Sequence, residues 1–441
     1  MTSAHRLSLY LMLVCSGISL LWGIAVERGA PGGAMGFPGI YYGTRCLIQH
    51  CDPYNVSELE AFYRSEGGES QSETIQRRQS VTLYVNLPTT FLFVAPFAML
   101  PFGPAHLLWM VLTVGSFTLA AFLMWSLGAR FAPNISLFIV CIFLANAEVV
   151  FAGGNTAGIV VSLCVVAVWC FLNDRFVWAG VICLAISLAI KPHDGGLVWL
   201  YFILAGGAFR KRALQSVALT CALGLVAVLW ISYAIPRWMP EMRSNLAMIS
   251  VHGGINDPGP ASIGMRIPGM VIDLQTIFSV FRDDPSFYNL ATYLLCGALL
   301  LVWLIKSARS HVTYRNTWLA LASITALTML VTYHRPYDAK LLLLTVPACA
   351  MLWSEGGAVA WVALLLTAAG AVFTGDIPLA ILVILTKGLA LPAASAAGAI
   401  LTVVLTRPVP LILMAICVFY LYAYLRSKPE SIELTKVPAG D

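Results

Sequence analysis

Apolar runs long enough to cross a bilayer, roughly 20 residues each, follow one another from Leu7 to Leu425, most of them separated only by brief polar breaks. Backbone amides inside hydrocarbon find no water to bond, so such runs must be helices that satisfy their own hydrogen bonds. Charged residues make up 11% of the chain and hydrophobic ones 59%, with a mean hydropathy of +0.83. A soluble domain carries about twice that charge. The expected fold is therefore an all-α polytopic membrane protein, a single transmembrane domain over residues 1–425 followed by a cytoplasmic tail at 426–441. Its helices should number roughly 12–14. The net charge of +5 is spread over short loops rather than gathered in a patch, which excludes nucleic acid as a partner and leaves the bilayer.

Two long polar segments interrupt the apolar pattern, at 27–86 and 236–288. Within the first, 57–66 reads as an amphipathic helix lying on the membrane. Cys46 and Cys51 lie close together there, and a disulfide between them is an open question tied to whether the loop is extracytoplasmic. The following stretch, 87–103, is apolar but carries Pro88, Pro96 and Pro101, so it is expected to be re-entrant or interfacial rather than a full span. Arg6 and the run after it resemble a signal peptide without a small-residue cleavage site, and an uncleaved first helix at 8–26 is expected. Further spans are expected near 105–128, 135–152, 156–173, 177–190, 195–208, 213–235, 290–306, 316–333, 338–353, 357–373, 377–405 and 409–425, with 377–405 making one pass or two.

Basic residues of short loops mark the cytoplasmic side. Arg6, the turn Arg210-Lys211-Arg212, the group Lys306, Arg309 and Arg315, and Arg426 with Lys428 are those residues here. Placing them inside puts 27–86, Lys191 to Asp194, 236–288 and His334-Arg335 together outside, provided that 87–103 does not cross. Four of the seven histidines, His50, His193, His252 and His334, fall on that outer side. An active site on the extracytoplasmic face is the expectation.

The stretch Gly153 to Gly196 reads as two apolar helices joined by Asn173-Asp174-Arg175, with Gly154-Asn155 and Lys191-Pro192-His193-Asp194 returned to one face. Ionisable residues at the mouth of a membrane helix are costly and mark function. Lysine is a compact cation suited to phosphate, although an interfacial lysine reaching for water gives the same pattern. Tyr333 to Lys340 places His334, Arg335, Asp338 and Lys340 between two apolar runs, more charge than a plain connector needs. In the first loop, Cys51-Asp52-Pro53-Tyr54 offers a carboxylate or an ordinary turn. In the second, His252 to Gly259, with Asp257, reads equally as a flexible turn closing over a substrate or as a plain Gly-rich loop. No nucleotide-binding loop, dinucleotide fingerprint, HExxH, paired CxxC or GxSxG is present, and the scattered His and Asp give no metal-ligand spacing.

Four stretches together resemble the polyprenol-phosphate-mannose-dependent mannosyltransferases, glycosyltransferase family 87 of the multi-span GT-C class. They are Phe37-Pro38-Gly39-Ile40-Tyr41-Tyr42 leading to Asp52-Pro53-Tyr54, the proline-rich 87–103, the Gly154-Asn155 to Lys191-Pro192 helix pair, and His334. The family usually has Gly-Gln-x-Asn where this chain has Gly154-Asn155-Thr156, and an aspartate where it has Gly36. The resemblance implies a GT-C-like bundle that moves a hexose, mannose above all, from a polyprenyl-phosphate sugar to a lipid, glycan or protein acceptor. It further implies inversion at the anomeric carbon, with no metal and no cofactor beyond the lipid-linked donor.

On that reading Asp52 is the base, Lys191 and Arg335 hold the departing phosphate, and His334 orients the acceptor or serves as an auxiliary base. Tyr54, Asn155, His193, Asp194, His252, Asp257 and Asp338 are candidate substrate contacts. The expected location is a bacterial plasma membrane. A transporter or flippase of a lipid-linked or anionic substrate is the alternative, and Gly36 keeps a catalytically silent scaffold in view.

Overall fold

The computed structural model of the protein describes residues 3–29, 36–67, 78, 81–262, 270–375, 378, 381, 384 and 395–427. Among them helix follows helix with no β-strand, and the chain is an all-α polytopic membrane protein. Among the described residues, five helices are long and apolar enough to cross a bilayer: Arg6–Ala25, Phe102–Gly128, Gly207–Ala234, Pro285–Arg309 and Pro408–Arg426. They leave large apolar side chains such as Leu107, Val111, Leu225, Leu229, Leu294 and Leu301 exposed, as a surface facing lipid should. Behind them, Tyr314–Val331 is buried without a break from Asn316 to Leu330, the mark of a helix that is apolar all round and central to its bundle.

The helix pair forms as its sequence dictates. Thr156–Leu172 and Val177–Ile190 pack on each other. Asp174 and Phe176 take left-handed backbone angles in the turn between them, both at φ 52. Lys191 must leave the helix because the residue before a proline is pushed out of the α region, and it sits at φ −139, ψ 81. Pro192 then opens the next helix, Pro192–Ala205, at the position where its missing N–H costs nothing.

Several boundaries differ from expectation. The run 135–152 is two helices, Pro133–Ala145 and Glu148–Gly153. Asn146 turns its amide back to the Ile142 carbonyl at 3.2 Å, and Ala147 N donates to Ser19 Oγ at 3.0 Å. Local side-chain bonds of this kind compete with the helix ladder. The 338–353 run begins as a 3₁₀ helix, Asp338–Leu344, before Thr345–Glu355. Of 377–405, Ala396–Thr406 is the described helix and most of the rest lies outside the described residues, as does the tail from 428.

The first polar segment also holds more structure than a loop. Gly36–Ile48 is a helix buried from Phe37 to Thr44, packed on Thr89–Ala98. Its Phe37, Tyr41 and Tyr42 rings meet Phe102. Polar flanks at 27–35 and 49–58 hid this short aromatic stretch. The helix expected at 57–66 is present as Val56–Ser65, capped by Asn55 and burying Leu59 and Tyr63. Thr89–Ala98 is ten residues long, about 15 Å, half of a bilayer core, in keeping with its prolines. Cys46 and Cys51 form a disulfide at the end of the Gly36–Ile48 helix.

Candidate active site

The ends expected to share a face do share one. Lys191 Nζ lies 2.6 Å from Asp338 Oδ1 and 3.7 Å from Asp194 Oδ2. His334 Nε2 lies 3.4 Å and His193 Nε2 3.6 Å from Asp194 Oδ1. Asp194, His334 and Asp338 are buried, while His193 stands 39% exposed. The second polar segment docks here through Ile272 N to the His334 carbonyl at 3.0 Å and Leu274 N to the Leu330 carbonyl at 3.1 Å. The proline-rich stretch that follows the first segment joins it through Thr89, whose hydroxyl bonds the Ala189 carbonyl two residues before Lys191.

Each charge has a local reason for its place. Asp194 lies in the first turn of its helix, where the dipole favours an anion. Asp338 accepts from Lys191 through one oxygen and from Arg335 N at 2.9 Å through the other, which closes the turn into the 3₁₀ helix. Burial works against the Lys191 ammonium, but Asp338 and Asp194 outweigh it and hold its pKa above the ordinary lysine value. Burial likewise disfavours the His334 imidazolium, and the Asp194 carboxylate 3.4 Å away and the charge of Asp338 outweigh that, so its pKa is raised. Arg335 stacks over Tyr333 and bonds its hydroxyl, and among the described residues its guanidinium meets no carboxylate. The mouth thus holds a guanidinium engaged by a tyrosine rather than a carboxylate, and a lysine already paired with Asp338.

Asp52 is not brought into this cluster. Its Oδ1 accepts from Tyr54 N at 2.9 Å, a short turn of the kind Asp-Pro favours, and Glu58 Oε2 takes its backbone N–H. Burial raises its pKa above the ordinary carboxylate value; the Tyr54 N–H opposes this, and Glu58 and Glu241 add to it. Tyr54 is fully buried against Tyr84, Phe91 and Trp238, with its hydroxyl donated to the Asn86 carbonyl at 2.6 Å. The 86–89 turn thus links the Asp52 loop to Lys191. Asn155 is engaged as the cap of Thr156–Leu172, accepting from Ala157 N at 2.9 Å.

His252 and Asp257 form a separate knot. Asp257 accepts from Gly253 N at 2.6 Å, Gly259 N at 3.1 Å and the Tyr288 hydroxyl at 2.6 Å, and His252 Nδ1 lies 3.1 Å from it. One buried carboxylate with so many donors organises this turn.

Gly36 explains its own departure. A Cβ there would overlap the Gly153 carbonyl oxygen and come within 2.7 Å of Asn155 N, both backbone atoms. The backbone of Gly153 to Asn155 fills the space a side chain would need. Restoring a carboxylate at 36 would push the helix pair away, so Gly36→Asp does not test what the missing group did.

Two residues escaped the sequence reading. Asp273 is fully buried, with Oδ2 lacking a hydrogen bond; burial pushes its pKa up to about 7 against the Thr276 N–H bond and the charge of His334. Arg407, buried between Ala396–Thr406 and Pro408–Arg426, bears on it electrostatically. An aspartate among apolar neighbours in the 236–288 segment and an arginine before a proline between apolar runs were the available signals.

No curated protein matches the chain. A family description, glycosyltransferase family 87, matches residues 84–333, a span that holds Asn155, Lys191, His193, Asp194, His252 and Asp257 and excludes Asp52 and His334 to Asp338. That is more than half of the 441 residues, and the chain belongs to glycosyltransferase family 87.

Proposed function

We propose that this glycosyltransferase takes a hexose, mannose by family resemblance, from a polyprenyl-phosphate donor and passes it to a hydroxyl of an extracytoplasmic acceptor. The observation that carries the reading is Arg335, a guanidinium without a carboxylate partner among the described residues, beside Lys191 at the polar mouth. A planar guanidinium matches a phosphate bidentately, and a charge already in place stabilises the leaving group as it departs. Arg335 is the main phosphate partner and Lys191 the second. Asp52, on the neighbouring loop, is the base that takes the acceptor proton, since attack with inversion comes from the face opposite the phosphate. The membrane is a bacterial plasma membrane with the mouth outside; the Cys46–Cys51 disulfide suits an oxidising side, and the Arg210-Lys211-Arg212 turn lies at the other end of the helix pair.

The test is transfer by purified protein in detergent from synthetic polyprenyl-phosphate mannose and glucose, with products read by mass spectrometry. Arg335→Ala should raise the donor KM and lower kcat together, by about tenfold to several hundredfold in kcat/KM. Transfer from nucleotide sugars alone, or Arg335→Ala kinetics equal to wild type, overturns the reading.

A further inference from the structure

His193, Asp194 and His334 each offer a metal-ligand atom, and the three atoms lie within 4.8 Å of one another. We propose that they bind a divalent metal ion of the zinc class, departing from the metal independence that the family resemblance implies. Ligands around a tetrahedral zinc with bonds of 2.0–2.1 Å stand about 3.3–3.5 Å apart. Asp194 Oδ1 stands 3.4 Å from His334 Nε2 and 3.6 Å from His193 Nε2. The third edge, between the two imidazoles, is within 4.8 Å, and rotation of His193, the exposed member of the three, is what would shorten it.

The buried atoms lack what a metal would supply. His334 Nδ1 lies 2.7 Å from the Thr332 carbonyl, which only accepts, so this nitrogen carries the hydrogen and Nε2 is left for another partner. Nε2 and both oxygens of Asp194 are buried without a hydrogen bond. Across the 3.4 Å from Nε2 to Asp194 Oδ1 neither atom has a hydrogen-bond partner, and a metal ion or a second imidazole proton would fill that gap.

The surroundings are those of a metal site. A ligating histidine characteristically donates its other N–H to a backbone carbonyl, as His334 does to Thr332, and a ligating carboxylate has its second oxygen held, as Lys191 holds Asp194 Oδ2 at 3.7 Å. Two imidazoles and one carboxylate select zinc over magnesium or calcium, which call for oxygen ligands. Three protein ligands leave a fourth position open, and exposed His193 gives the ion a way in from solvent. Lys191 does not compete for the site, because Asp338 engages it at 2.6 Å.

The experiment uses full-length, tag-free protein in detergent, stripped with chelator and then equilibrated with zinc sulfate without any sugar donor. Elemental analysis should find about one zinc per chain, and cobalt in its place should show the visible absorption of a tetrahedral ion. His193→Ala should weaken zinc binding by roughly tenfold or more and leave the thermal midpoint of the stripped protein unchanged, because this side chain is the half-exposed one. His311→Ala, in an exposed turn elsewhere in the chain, should bind zinc as wild type does. Asp194→Asn and His334→Ala should lose the ion altogether, and where they fail to fold His193→Ala decides. Wild-type uptake below about a fifth of an equivalent, or zinc affinity unmoved by His193→Ala, overturns the proposal. A proton on His334 Nε2 filling the same gap gives the first of those results. Because no donor is present, neither result depends on the transferase reading.

Discussion

The helix pair carries charge at both ends, and the two ends differ in kind. At the turn, Arg212 pairs with Asp174, whose side chain is 78% exposed, and Arg130 reaches Asn173 at 3.2 Å. At the mouth, Lys191 meets Asp338 and Asp194, whose side chains are 1% and 0% exposed. Exposed pairs contribute about 0–1 kcal/mol because water screens them and long side chains resist fixing. Buried charges cost several kcal/mol each to desolvate and persist only when well paired. A chain with so little charge does not bury a lysine, two aspartates and a histidine together for stability, since apolar side chains of like volume would pack as well or better. The turn is a solvated corner of a membrane bundle; the mouth bears the desolvation cost of the charges to which the proposed function assigns the donor phosphate.

Four measurements bear on that contrast. The largest effect belongs to the Asp52 loop, the proposed source of the base. Asp52→Asn should lower kcat by roughly 10²–10⁴-fold with the donor KM little changed, since the isostere keeps the turn and loses the basic oxygen. A rate within tenfold of wild type would remove the first loop from the reacting face.

Lys191→Ala comes next, with donor use down about ten- to several-hundredfold and unfolding easier by roughly 3–5 kcal/mol, because buried Asp194 and Asp338 lose the ammonium that pairs them. Lys191→Arg should keep part of the activity. If Lys191→Ala unfolds no more easily than wild type in detergent, the mouth is as solvated as the turn and the contrast fails.

The pH dependence is smaller. Asp52 has a folded pKa raised by burial, so above about pH 4 the folded chain holds a proton that the unfolded chain has lost. Stability contributed by this group is therefore present at low pH and lost as pH rises through the folded value. Chemical denaturation across pH 4 to 8 should show the decline and Asp52→Asn should flatten it. The acid limb of the transfer rate should also sit above the ordinary carboxylate value near 3.9. The smallest effect is at the turn, where Asp174→Ala should shift stability by less than about 0.5 kcal/mol and leave transfer unchanged. A loss as large as that of Lys191→Ala would erase the distinction between the two ends.

Much of this was legible in the residues. Apolar runs must become helices in lipid, prolines mark where they break, and Lys191-Pro192 announces a charged helix end by the backbone rule alone. The shared face followed from the placement of basic turns. Tertiary structure decided the rest. Nothing local tells Lys191 to choose Asp338, 147 residues away, or sets His334 against Asp194, because the register and rotation of packed helices select which polar ends meet. Equally, a short aromatic run between polar flanks reads as loop until a partner helix buries it, as Thr89–Ala98 buries Gly36–Ile48. Gly36 itself is the clearest case: its residue type is visible in the sequence, but only the folded backbone of Gly153 to Asn155 pressed against it shows why no side chain fits.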